Sequence, residues 1–118
     1  MIAPSTVTLS SLRRAELNIE LAGRLKGSKL RELRIVAADP DALMGVMICV
    51  VANGESLFGT ICAALFGAEW SPFSKDYEPR FPIGITSAPL ESLSLELENE
   101  RDTRLTLRVL VGFDTRPR

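Results

Sequence analysis

Between residues 89 and 113 hydrophobicity alternates so regularly that this stretch limits the chain to few folds. Leu93, Leu95 and Leu97 alternate with Ser94, Glu96 and Glu98, and past Asn99-Glu100-Arg101-Asp102 the alternation resumes with Leu105, Leu107, Val109, Val111 and Phe113. A period of two puts every one of these apolar side chains on one side of a pleated ribbon. The polar tetrapeptide supplies turn chemistry, so the stretch reads as a β-hairpin with one wet face. On that face Glu96 and Glu98 are expected near Arg104 and Arg108 of the other arm, where opposite charges favour the register by roughly a few tenths of a kcal/mol. A two-stranded ribbon is not stable alone in water, so the leucine face requires a second layer.

The preceding chain offers strands for that layer. Residues 6–9 alternate briefly. Ala15, Leu17, Ile19 and Leu21 then face one side against Glu16, Asn18 and Glu20, although residues 11–25 also fit a helical period with Ser11 as cap. Gly23 and Lys26-Gly27-Ser28-Lys29 break the pattern as a turn. Leu30, Leu33, Ile35 and Ala37 follow as a third strand whose spacing calls for a bulge.

Asp39-Pro40-Asp41 is either a turn or a helix start, with Asp39 as cap and Pro40 in the first turn. Two apolar runs, 43–52 and 57–66, flank Asn53-Gly54, the dipeptide best suited to the two positive-φ corners of a type I′ turn. This predicts a central hairpin buried on both faces. A pair of short helices is the alternative, since Leu57, Ile61 and Leu65 beside Phe58, Cys62 and Phe66 keep helical spacing, while Val46, Ile48, Val50 and Val51 favour strand in the first arm. Each run is about half of the roughly 20 residues a membrane-spanning helix needs, so no membrane role is expected.

Residues 67–88 have a different character. Pro72, Pro79 and Pro82 oppose a regular ladder, and Trp70, Phe73, Tyr77 and Phe81 collect there with Arg80. Aromatics beside an arginine have the composition of interface hot spots, so Trp70, Phe73, Tyr77, Arg80 and Phe81 are the candidate interface residues. The same rings would equally serve as plugs over an open end of the core. Residues 114–118 read as a frayed tail.

The composition excludes more chemistry than it offers. With no histidine in 118 residues, the chain lacks the commonest general base and metal ligand and every Ser-His or Cys-His nucleophile pair. Cys49 and Cys62 are too few for a zinc site, and inside apolar runs they read as buried thiols of a reducing compartment. The eight glycines form no phosphate-cradling or dinucleotide motif. Glu96 and Glu98, at i and i+2 on a wet face, are a weak pair for acid–base catalysis. No catalytic, cofactor or metal residue is therefore assigned, and no enzyme activity is expected.

Charge is nearly balanced, at −1 overall. Residues 1–34 hold seven basic against three acidic side chains, a net of +4 that leaves −5 for the remainder and suits head-to-tail contact between copies. No aromatics are interleaved with the basic residues, so nucleic acid is not an expected partner. Met1-Ile2-Ala3-Pro4 has no basic n-region, which points to a cytoplasmic site of synthesis.

Together these features predict a single domain over residues 1–118, mainly β: an antiparallel β-sandwich or jelly-roll-like barrel with one or two short helices, or an α+β fold if residues 43–66 are helical. Short strands, the Pro- and aromatic-rich connection from Trp70 to Pro82, and the pair Leu93-Ser-Leu-Glu-Leu and Arg104-Leu-Thr-Leu-Arg-Val-Leu-Val resemble small jelly-roll-like structural proteins of bacteriophage virions. The resemblance implies a non-enzymatic capsid-decoration, tail or fibre subunit that works as a symmetric homo-oligomer against another structural subunit. The alternative is a small ligand- or carbohydrate-binding module that uses Trp70, Tyr77 and Phe81 as a stacking platform.

Overall fold

The computed structural model describes residues 2–21, 25–80 and 89–114. Three antiparallel sheets are formed among them. β1 (Ile2–Leu9), β9 (Leu105–Asp114) and β3 (Lys29–Ala37) lie in the order β1-β9-β3; β2 (Arg14–Ile19), β8 (Leu93–Asn99), β4 (Val46–Ala52) and β5 (Glu55–Cys62) lie in the order β2-β8-β4-β5; β6 (Ala68–Ser71) and β7 (Asp76–Pro79) make a small ribbon. Leu33, Ile35, Leu107, Val109, Val111 and Phe113 of the first sheet share one core with Ile48, Val50, Leu93, Leu95 and Leu97 of the second. Burying each such side chain is worth about 1.5–3 kcal/mol, so the two sheets hold each other face to face. The fold is an antiparallel β-sandwich, mainly β as expected.

The closing leucine pair is not the hairpin that its alternation predicts. β8 pairs with β2 and β4, whereas β9 pairs with β1 and β3, so residues 99–104 cross from one sheet to the other. Alternation states which face is buried, not which strand is the neighbour, and two leucine faces opposed across a core satisfy it as well as one shared face. The charge pairing changes accordingly. Glu98 meets Arg14 at 3.5 Å, and Glu96 stands directly opposite Glu16, not near Arg104 or Arg108.

The side chain of Asn99 holds this crossing. It is fully buried; its Nδ2 donates to the Thr103 carbonyl at 2.9 Å and the Ser10 carbonyl at 3.3 Å, while its Oδ1 accepts from the Arg101 N–H at 3.0 Å. Its backbone N–H donates to the Arg13 carbonyl at 2.9 Å. One buried amide thus ties the β1–β2 turn to the corner between the sheets.

Elsewhere the alternatives resolve by local chemistry. Arg14–Ile19 is strand and not helix, with its apolar face on the core. The bulge in β3 falls between Leu30 and Glu32. Asp39 caps a 3₁₀ turn, Pro40–Gly45, by accepting the Asp41 N–H at 3.1 Å, so the helix-start reading holds over one turn. Asn53 and Gly54 have φ of 54° and 82°, the type I′ corner that joins β4 to β5. Neither the buried-on-both-faces hairpin nor the helix pair is realised. β4 alternates buried and half-buried positions, β5 is a half-exposed edge, and only Ala63–Phe66 leaves the sheet, as a second 3₁₀ turn. Cys49 and Cys62 are free thiols, half-buried and not fully so.

Candidate functional site

The proline-rich segment 67–88, expected to oppose a regular ladder, contains the β6–β7 hairpin. Pro72 lies in its turn and Pro79 at the end of its second strand, where each costs no ladder bond. Lys75 closes the turn at φ 54°, its N–H donating to the Ser71 carbonyl at 2.9 Å. Trp70 and Tyr77 are directly opposed across the ribbon, so both rings project from the same side. Arg80 instead donates to Glu69 at 3.1 Å at the foot of the hairpin. Phe81 lies outside the described residues, as do 82–88 and 115–118; of the expected frayed tail 114–118, Asp114 is instead the last residue of β9, paired with Lys29. Of the predicted interface residues the structure therefore brings Trp70 and Tyr77 together, sends Phe73 to the hairpin tip, and uses Arg80 in an ion pair.

Arg34 fastens the hairpin to the outer face of the three-stranded sheet. Its guanidinium donates to both carboxylate oxygens of Glu32 at 3.1 Å, donates to the Tyr77 carbonyl, and stands 3.6 Å from Asp76. Its side chain is only 13% exposed, which strengthens these charge-assisted contacts relative to a surface pair. Glu32 lies across Gly112, where a Cβ would come within 2.4 Å of its Cγ, so the clamp requires a glycine on β9. A parallel bridge between Ile35 and Gly67 starts the hairpin alongside β3. Nothing in the spacing of Glu32 and Arg34 shows their distant partner in sequence.

Between hairpin and sheet lies a groove of about 560 Å³ lined by Trp70, Tyr77, Glu69, Thr6, Thr106 and Arg108, with Val36, Ala38 and Pro40 on its apolar side. In the sheet register Arg108 lies between Thr6 and Val36, on the outer face of β9. It has no ion-pair partner among the described residues.

A second surface emerges from strand direction. The turn 10–13, Pro40–Gly45, Ala63–Phe66 and the crossing 99–104 all lie at one end of the sandwich. They are tied by Leu12 N–H to the Arg101 carbonyl at 3.0 Å, and by Glu100 N–H to the Gly45 carbonyl at 2.9 Å. The exposed large apolar side chains among the described residues are Phe73 (98%), Met44 (70%), Leu12 (67%), Trp70 (55%) and Leu65 (43%), and all sit on these connections or on the hairpin. The connections 10–13, 38–45, 63–66 and 99–104 carry three basic side chains (Arg13, Arg101, Arg104) against four acidic ones (Asp39, Asp41, Glu100, Asp102).

The sheet edges, by contrast, resist pairing. β1 contains Pro4 and β2 carries Arg14 and Glu16. β5 bulges where Gly59, at φ 71°, donates to Ser56 Oγ at 2.9 Å. On the outer face of the other sheet Glu16, Glu96, Cys49 and Thr60 line a smaller depression of about 390 Å³, and among the described residues no group of three His, Cys, Asp or Glu is placed to hold a metal ion. Nor is any described helix long and apolar enough to cross a membrane. No known family model matches the chain, nor does any curated protein.

Proposed function

We propose that this chain is a non-enzymatic assembly subunit that associates with copies of itself through its apolar end. The observation that carries this reading is the placement of the exposed Met44, Leu12 and Leu65 on connections of one end of the sandwich, with Phe73 bare at the hairpin tip. A second copy is the favoured occupant because that end bears both charge signs in nearly equal number, so two identical surfaces meet with little net repulsion. Protected strand edges direct association away from open-ended sheet extension and toward this closed contact. A building block of this kind fits the resemblance to virion sandwich proteins, and on this reading the assembled chain is a part of a capsid, tail or fibre beside other structural subunits.

Sedimentation equilibrium of the wild type and of a Phe73→Ser, Met44→Ser double variant tests the reading. The wild type is expected as a closed oligomer, and the variant to dissociate at least about a hundredfold more readily, or about 2.7 kcal/mol. A wild type that is monomeric at every concentration, or a variant that associates as tightly, would overturn it. A second reading, a small ligand- or carbohydrate-binding module, is favoured by one specific observation, the paired rings of Trp70 and Tyr77 over a groove.

A further inference from the structure

We infer that the groove between the β6–β7 hairpin and the three-stranded sheet binds an acidic oligosaccharide, with Trp70 and Tyr77 as stacking surface and Arg108 as the carboxylate partner. This inference rests on the binding-module reading and not on self-association. Two flat rings on the same side of a ribbon, at directly opposed positions, offer apolar faces suited to the C–H face of a pyranose, whose hydroxyls then point sideways. Thr6 and Thr106 line the same groove and offer hydroxyl partners, and Thr106 is oriented by a 3.3 Å hydrogen bond to Thr8.

The charge in the groove selects among sugars. Glu69 is already neutralised by Arg80 at 3.1 Å, which leaves the exposed Arg108 as the uncompensated charge of the lining. A guanidinium in that position is matched by the planar carboxylate of a uronic acid, which accepts two parallel N–H bonds. Single-stranded nucleic acid also stacks on aromatics, but a phosphate chain needs a track of cations. Here one arginine stands beside a carboxylate in a chain of net charge −1.

The hairpin also explains how such a site stays open. Arg34 holds the Tyr77 carbonyl and Asp76 from beneath, so the rings are presented by a clamped ribbon and not by a free loop. Binding then orders few additional side chains, which favours affinity for a shallow ligand.

The test is titration of the full chain with a galacturonic acid hexamer, its methyl ester and a thymidine oligonucleotide, followed by Trp70 emission and calorimetry. Saturable binding of the acid, weakened about tenfold by esterification, is the expected result. Arg108→Gln should abolish that difference while ester binding persists, and Trp70→Ala should remove binding of both sugars with the far-ultraviolet dichroism unchanged. Equal affinity for acid and ester would overturn the assigned role of Arg108. Absence of binding to either sugar, or tighter binding of the oligonucleotide, would overturn the saccharide assignment, and none of these outcomes bears on the oligomeric mass.

Discussion

Replacing Asn99 by leucine tests the corner on which the two sheets turn. The leucine is close in volume and apolar, so it leaves little cavity, but it deprives the Arg101 N–H of its 3.0 Å acceptor and the Thr103 and Ser10 carbonyls of donors at 2.9 and 3.3 Å. Asn99 is fully buried, and a backbone group stranded there costs about 1–3 kcal/mol. The Arg101 N–H bears most of this, while the carbonyls, near the exposed residues Ser10 and Thr103, recover part of their bonding from water. The expected loss is therefore about 2–4 kcal/mol, or roughly a 10 °C fall in Tm for a domain of this size. Urea unfolding followed by dichroism, at one protein concentration, measures it, with the exposed Asp102→Ala as the control expected to change stability by less than about 0.5 kcal/mol. An Asn99→Leu variant within about 0.5 kcal/mol of the wild type would show that turn chemistry alone makes the crossing and that the buried amide does not hold it.

Two further substitutions probe the outer faces. Glu96 stands opposite Glu16 in the β2–β8 register, so Glu96→Lys should stabilise the protein by about 0.5 kcal/mol, read as a higher urea midpoint at unchanged slope. A destabilised variant would refute that pairing. Arg34→Ala removes the donor to the Tyr77 carbonyl and the partner of Glu32 and Asp76, at a cost of about 1–3 kcal/mol. Amide exchange should rise in β6 and β7 far more than in β8; uniform acceleration would refute the clamp.

The fold class was legible because it depends on local period. Leu93 to Leu97 and Leu105 to Phe113 alternate strictly, Asn53-Gly54 supplies its own turn conformation, and the spacing of Leu30 and Leu33 betrays a bulge. What stayed hidden depends on partners distant in the chain. Whether β8 pairs with β9 or faces it across a core leaves the alternation unchanged; the remaining signal is Asn99, an amide at the register of the core leucines in a connection long for a tight hairpin. Prolines misled for a related reason. Pro72 and Pro79 oppose a ladder only where an N–H is needed, and both stand where none is. The aromatic cluster was visible as composition, but its division into a groove pair, a bare tip at Phe73 and an ion-paired Arg80 follows from a two-residue register and from Arg34, whose partner lies more than forty residues away.

Distances between copies test the assembly reading most directly. In a background with Cys49→Ser and Cys62→Ser, a nitroxide attached through Asp102→Cys marks the apolar end, and one through Glu55→Cys marks the end that carries the Asn53-Gly54 turn. Both sites are exposed and neither belongs to the apolar set. If copies meet through the Met44, Leu12 and Leu65 surface, pulsed dipolar spectroscopy should give a short intermolecular distance between the Asp102→Cys labels and a much longer one between the Glu55→Cys labels. The reverse order, or no dipolar coupling at either site, would contradict association through that end.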